Sequence, residues 1–112
     1  AVLGGVAGES TSSVAARVSA ARERARGRGV SANAELSSGE LDELAPLDPS
    51  ARRLVLEALA DGHLSPRGAR RVRAVALTLA DLAGAEPPLT DDLVATALGL
   101  RVELAPMLEA AA

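Results

Sequence analysis

The stretch LSPRGARRVRAVALTLADLAG, residues 64–84, indicates a long helix with well-marked ends. Ser65 is suited to cap the first turn, Pro66 suits the first helical position, and Gly84 suits the stop. The aliphatic residues between them recur at helical spacing, which predicts one buried face. The predicted face comprises Ala69, Val72, Val75, Ala76, Leu79 and Leu82.

Helix signals also lie on both sides of this stretch. Asp48 resembles an N-cap with Pro49 at the first helical position, and Gly62 ends that helix. Three further helices are predicted, from about Thr11 to Arg26, over Ser38–Leu44 after a connector at residues 31–37, and from Thr90 to roughly Leu100. Because most connections are short, neighbouring helices are expected to pack side by side.

The amino-acid composition restricts the core to aliphatic side chains. There is no Phe, Tyr or Trp, and there is only one Met among the 112 residues. Leu, Val and Ala must therefore form the core. Ala and Leu are strong helix formers, whereas sheets rely on aromatic and β-branched residues. We therefore predict an all-α fold, a compact bundle of four to five helices.

The chain is predicted to form one domain with two short ends. We expect a flexible segment over residues 1–8, the domain over residues 9–104 and a frayed or disordered tail over residues 105–112. The missing initiator Met suggests a piece of a longer protein. No apolar run approaches a membrane span and the start lacks the basic leader of a signal peptide, so we expect a cytoplasmic protein without a membrane partner.

Several kinds of chemistry are excluded by residues that the chain lacks. Without Cys there is no disulfide or thiolate, and the single histidine, His63, makes a metal site improbable. Every basic residue is Arg, so the lysine of a phosphate-binding loop is missing too. We expect no catalytic residue, no metal ligand and no bound cofactor in this stretch by itself.

Arginines cluster toward the end of the first predicted helix. Cations at that position suit the helix dipole, so we interpret the cluster as a solvated helix end rather than a binding patch. The cluster consists of Arg17, Arg22, Arg24, Arg26 and Arg28.

Arg67 does not fit the solvated-end interpretation. It falls in the first turn of the helix that begins after Ser65, where the dipole disfavours a cation. Arg71 follows one turn later on the same flank. An arginine beside the free backbone N–H groups of a helix N-terminus is a natural anion site. The alternative is that Arg67 pairs with a nearby acid, for example Asp61.

The ordered series of motifs resembles the C-terminal domain of magnesium-chelatase-like AAA+ ATPases, over roughly residues 9–101. Within the family, the pattern is closest to the branch often called ComM or YifB. The matching pieces are Glu9-Ser10, Val14, Arg17-Val18, Ala21-Arg22, Asn33-Ala34, Leu36, Leu47-Asp48, Ala51, Leu54, Leu64 to Arg67, Arg71, Val75-Ala76, Thr78 to Leu82, Leu93-Val94, Ala97-Leu98 and Arg101.

The resemblance implies a lid domain that packs beside ATP and Mg²⁺ in a full-length ATPase. Arg67 matches the sensor-2 arginine that reaches the γ-phosphate at a subunit interface, and Arg71 matches a second basic position. Expected partners are the upstream AAA+ core and further copies in a homo-oligomeric ring, with DNA as a further partner in the ComM-like branch of branch-migration motors. The family usually has more basic residues where this chain has Ala74 and Leu77.

Three other functions remain open from the sequence. The parent protein could be the magnesium chelatase ATPase subunit itself, which inserts Mg²⁺ into a porphyrin. Residues 48–83 could also form a helix-turn-helix that binds DNA. The residues entering the DNA groove would then be Arg67, Arg70, Arg71 and Arg73. The acidic stretch 31–65 opposes this interpretation, because it would repel the phosphates nearby. A purely structural interaction domain is the third possibility.

Overall fold

The computed structural model describes residues 10–100, which form an all-α bundle, as the composition predicted. The elements are α1 (Thr11–Gly27), a 3-10 turn (Asn33–Glu35), α2 (Ser38–Leu44), α3 (Pro49–Ala60), α4 (Pro66–Ala83) and α5, described over residues 91–100. No strand occurs between residues 10 and 100. The predicted ends 1–8 and 105–112, and the motif residues Glu9 and Arg101, lie outside the described residues.

The helix ends are set by short-range hydrogen bonds at the positions that the sequence indicated. The Asp48 carboxylate accepts the Ala51 N–H at 2.7 Å, and the Ser65 hydroxyl accepts the Gly68 N–H at 3.0 Å. Gly84 adopts the left-handed conformation, with φ of 72°, and its N–H bonds back to the last turn of α4. Each of these groups satisfies backbone atoms that a helix end leaves unpaired.

Helix α4 lies at the centre of the bundle and contacts α1, the 3-10 turn, α2 and α3. Its buried residues therefore cover more than one face. The face predicted from the sequence needs correction, because Val75 is 40 % exposed while Ala74, Leu77 and Ala80 are buried. Elements that approach α4 from different sides bury positions that a single apolar stripe would leave in solvent.

The core consists of small and branched aliphatic side chains from all parts of the described chain. Its largest fully buried members are Leu36, Leu41, Val72, Leu77, Leu89 and Val94. Burying each of these side chains contributes about 1.5–3 kcal/mol. The bundle thus reaches a continuous core without any aromatic ring.

The loops before α3 and before α5 are tied together. The Leu89 N–H donates to the Pro46 carbonyl at 2.8 Å, and the Asp48 N–H donates to the Leu89 carbonyl at 2.9 Å. Leu89 and Val94 flank the first turn of α5 as a hydrophobic staple, and both are buried. These contacts anchor α5 against the start of α3.

Candidate functional site

The first turn of α4 carries the arginine that the sequence singled out. Ser65 caps the helix, Pro66 occupies the first turn and Arg67 follows with an exposed side chain. The first turn contains no acidic residue. The positive end of the helix dipole and the Arg67 guanidinium therefore add to one another, and an anion is attracted by both.

Arg67 and Arg71 are exposed, and neither makes an ion pair or side-chain hydrogen bond to another residue of the range 10–100. The alternative pairing of Arg67 with Asp61 is not formed, although both residues lie near the start of α4. The five donors of each guanidinium are thus directed to solvent. Two guanidinium groups one helical turn apart therefore form a site of positive charge that no acidic side chain within residues 10–100 neutralises.

The neighbouring arginines of α4 are used within the fold. Arg70 donates from Nη1 to the carbonyls of Ala34 and Leu36, at 3.0 and 3.2 Å. Arg73 forms an ion pair with Asp42, with Nη2 and Oδ1 2.8 Å apart. A DNA-groove contact through all four arginines of α4 would have to break these interactions, so the geometry does not favour the helix-turn-helix reading.

Arg28 has a role that the sequence interpretation missed. Its two terminal nitrogens each lie 2.7 Å from an Asp81 carboxylate oxygen, which is a bidentate ion pair across 53 positions of the chain. The Arg28 side chain is only 14 % exposed and that of Asp81 is 1 % exposed. The hydrogen bonds to Asp81 raise the pKa of Arg28, and burial opposes them. The prediction that Arg28 belongs to a solvated helix end is therefore wrong.

The buried Asn33 and the more exposed Thr78 complete this network. The Asn33 amide donates to Asp81 at 2.9 Å and to the Thr78 hydroxyl at 3.1 Å, while its Oδ1 accepts from Arg28 at 3.0 Å. Thr78, which follows Arg71 along one flank in helical projection, also donates to the Ala74 carbonyl. The side chains of that flank are therefore unpaired at its N-terminal end and hydrogen-bonded within the fold at its C-terminal end.

The missed network left one signal in the sequence. Asp81 is the single acid within residues 66–85, and it stands among aliphatic residues in the most apolar part of that helix. An acid in such a position needs a partner, because burying an unpaired carboxylate is costly. The signal identifies Asp81 but not which of twelve arginines meets it.

Two other polar residues, His63 and Glu40, lie at helix ends. His63 is exposed in the turn between α3 and α4. Glu40 closes a capping box with Ser37, and this hydrogen bond from the Ser37 N–H lowers the pKa of Glu40. Within residues 10–100 there is no group of three or more side chains suited to hold a metal ion, and no helix long and apolar enough to cross a membrane.

Comparison with known proteins identifies a family for most of the chain. The family model described as "Magnesium chelatase, subunit ChlI C-terminal" matches residues 8–101. Uncharacterized proteins of Mycobacterium bovis and of two Mycobacterium tuberculosis strains are 44 % identical over 98 residues. The match covers 84 % of this chain and 19 % of each relative, so the chain spans about a fifth of their length. No solved structure matches.

Proposed function

The chain belongs to the family of C-terminal domains of the magnesium chelatase subunit ChlI, and we propose that it acts as the lid of a longer AAA+ ATPase in which Arg67 binds the γ-phosphate of ATP. The observation that carries the proposal is the free Arg67 guanidinium at the positive end of α4. A phosphate placed there would receive a charge-assisted hydrogen bond and would relieve the repulsion between Arg67 and the helix dipole.

Arg71 supplies the second charge of the proposed site. It lies one helical turn beyond Arg67, is exposed, and has no partner within residues 10–100. Two guanidinium groups fit the terminal phosphates of a nucleotide, and neither needs to leave another contact in order to turn toward them. The phosphate-binding loop and the Mg²⁺ ligands of such an ATPase would come from the upstream core, since residues 1–112 contain no Lys.

We further propose that the parent protein is of the ComM-like type, a ring-forming motor that acts on DNA. The support is the sequence pattern from Thr78 to Leu82, within which Thr78 and Asp81 belong to the network around Asn33. A magnesium chelatase subunit proper is the competing proposal, supported by the family description. ATP hydrolysis by the longer protein that rises with added branched DNA, and not with a porphyrin and its partner subunits, would favour the ComM-like type.

The role of Arg67 is tested by Arg67→Ala in the longer protein that carries this domain together with its nucleotide-binding core. We expect kcat for ATP hydrolysis to fall by about 100-fold or more, as when one preorganised donor to a developing negative charge is lost. The unfolding free energy of residues 1–112 should change by less than about 0.5 kcal/mol, because the side chain is exposed and unpaired. Steady-state hydrolysis and urea unfolding measure the two effects.

Arg22→Ala is the matched control, because Arg22 is also an exposed helical arginine without a partner between residues 10 and 100. It should leave both hydrolysis and stability close to the parent values. Unchanged hydrolysis in Arg67→Ala, or unfolding of the domain by that substitution, would remove the basis of the lid proposal.

A further inference from the structure

A cleft of about 470 Å³ opens between α2, α3 and the first half of α4, on a different flank of α4 from Arg67 and Arg71. Its floor is apolar and is formed by Leu47, Val55, Leu59 and Ala69. The volume lies in the range of pockets that bind ligands through an apolar floor and a few polar groups. Neither Arg67 nor Arg71 lines it, so the cleft is separate from the proposed nucleotide contact.

The rim of the cleft carries more positive than negative charge. Arg52, Arg70 and Arg73 line it, against the single carboxylate of Asp42. Arg73 is bound only through Nη2 to Asp42; its Nε is enclosed, whereas its Nη1 makes no hydrogen bond within residues 10–100. Arg52 is exposed and makes no ion pair there. The rim therefore retains donors for a further carboxylate beside an apolar floor.

A second, shallower depression of about 420 Å³ continues this surface along the outer side of α3. It shares Arg52 and Leu56 with the cleft and adds Arg53 and Glu57. Leu56 stands between the two depressions with 51 % of its surface exposed, the most exposed large aliphatic residue of the described chain. A ligand that occupies both depressions across Leu56 must be longer than a small metabolite.

We propose that this surface binds an acidic amphipathic helix of a partner protein, with a leucine-like side chain on the apolar floor and a carboxylate on Arg52 and Arg73. The apolar face of such a helix would pack against the apolar floor and the exposed Leu56. The negative charge of the helix would complement the excess of arginine at the rim of the cleft. The carboxylates of Asp42 and Glu57 would repel the continuous phosphates of a nucleic acid. The inference does not depend on the role proposed for Arg67.

The test is a titration of the ¹⁵N-labelled 112-residue chain with a synthetic helical peptide of about 18 residues, built from Leu, Glu and Ala with leucines at i, i+3, i+4 and i+7. We expect amide shifts to concentrate at residues 52–59 and 66–73. Replacing the glutamates of the peptide by glutamine should weaken binding by about tenfold or more, and replacing its leucines by serine should do the same.

Three variants within the surface and one control outside it make the test specific. Leu56→Glu and Arg52→Glu should each weaken binding by about tenfold or more, and both should leave the helical circular dichroism intact because the two residues are exposed. Asp42→Asn should tighten binding about threefold, since it removes the carboxylate that competes for Arg73. Arg22→Glu is the charge-matched control outside the surface and should leave the affinity within about twofold.

Four results would overturn the proposal. The first is the absence of any amide shift at about millimolar peptide. The second is that Arg22→Glu weakens peptide binding as much as Arg52→Glu does, which would indicate attraction to the net charge alone. The third is concentration-dependent shifts at residues 52–59 without peptide, which would identify a second copy of the chain as the occupant. The fourth is displacement of the peptide by duplex DNA, which would identify a nucleic acid.

Discussion

Arg28 and Arg67 carry the same guanidinium and occupy opposite environments. Arg28 is held between Asp81 and Asn33 and is largely withdrawn from solvent, whereas Arg67 is exposed and has no partner within residues 10–100. The first arrangement stabilises the junction between α1 and α4, and the second leaves a charge available for an anion. The local sequence around each arginine does not distinguish these two roles, because the deciding neighbours of Arg28 come from another helix.

Replacing Arg28 by alanine should destabilise the chain strongly. The substitution leaves the Asp81 carboxylate buried with only the Asn33 amide to compensate it. Removing one partner of a fully buried ion pair costs about 3–5 kcal/mol, and the residual exposure of Arg28 lowers the expectation to about 2–3 kcal/mol. Urea unfolding followed by circular dichroism measures the loss.

The double variant Arg28→Met with Asp81→Leu separates loss of the pair from loss of packing. It removes both charges together, so it should recover most of the stability lost in Arg28→Ala. Arg22→Ala, on the exposed side of α1, should change the unfolding free energy by less than about 0.5 kcal/mol. Equal effects of Arg28→Ala and Arg22→Ala would contradict the importance of the buried pair.

At the scale of the elements, the buried face of α4 is wider than the spacing of its apolar residues predicts. A stripe of Ala69, Val72 and Ala76 is buried as its spacing predicts, but Ala74 and Leu77 are buried as well. These two positions match those at which the family usually has basic residues. Their burial follows from the contacts of α4 with four other elements, which are α1, the 3-10 turn, α2 and α3.

Two side-chain truncations test which face of α4 is buried. Leu77→Ala should reduce the unfolding free energy by about 2–4 kcal/mol, because the side chain is completely buried and a cavity would remain. Val75→Ala should change it by less than about 0.5 kcal/mol, since Val75 is 40 % exposed and alanine favours the helix. The reverse order would show that the face predicted from the sequence was correct after all.

The capping box of α2 should make this short helix sensitive to acid. The hydrogen bond from the Ser37 N–H lowers the folded-state pKa of Glu40 below its ordinary value of 4.5. A carboxyl group with a lowered folded-state pKa stabilises the fold above its unfolded pKa, and the contribution is lost as the pH falls through the folded value. We therefore expect an NMR titration of the Glu40 carboxyl to have its midpoint below 4.5.

Two substitutions on α2 check the acid sensitivity. Glu40→Gln should reduce the loss of stability between neutral pH and the acid range, because the titrating group of the cap is gone. Glu43→Gln removes a carboxylate from the same helix without touching the cap and should leave that loss in place. A Glu40 midpoint at or above 4.5 would show that the capping box does not form in solution.

At the scale of the whole molecule, the five helices of residues 10–100 enclose a core without aromatic residues, and the candidate anion contact lies on the surface of this bundle. Within residues 10–100 that contact consists of two arginine side chains at the start of α4, where Pro66 has no N–H and the Gly68 N–H is already bonded to the Ser65 hydroxyl. A phosphate group held by so few donors in open solvent gains little over its hydration. The proposed lid would act only when the core of the longer protein encloses the nucleotide.

The 112-residue chain alone should accordingly not bind ATP in the micromolar range. Isothermal titration calorimetry with ATP and Mg²⁺ should give no saturable heat below about millimolar nucleotide, because no phosphate-binding loop is present. The longer protein with its core is the positive control. A micromolar dissociation constant for the 112-residue chain would mean that it contains a nucleotide site of its own.

The sequence by itself determined where the helices begin and end, and with them the position of Arg67. Asp48, Ser65 and Gly84 act on backbone atoms three or four residues away, so their effect can be read from local spacing. The resemblance to the family of the ChlI C-terminal domain could likewise be recognised from ordered local motifs. The sequence left open whether Arg67 pairs with Asp61, and only the structure showed its side chain exposed and unpaired within residues 10–100.

Only the tertiary structure decided what lies between the helices. Arg28 and Asp81 meet across 53 positions, and nothing in the spacing of either residue selects the other from twelve arginines and fifteen acids. The cleft rimmed by Arg52 and Arg73 exists for the same reason, since its walls come from three separate helices. Helix caps are short-range and independent of one another, whereas the pairing of side chains from distant helices depends on how all the helices pack together.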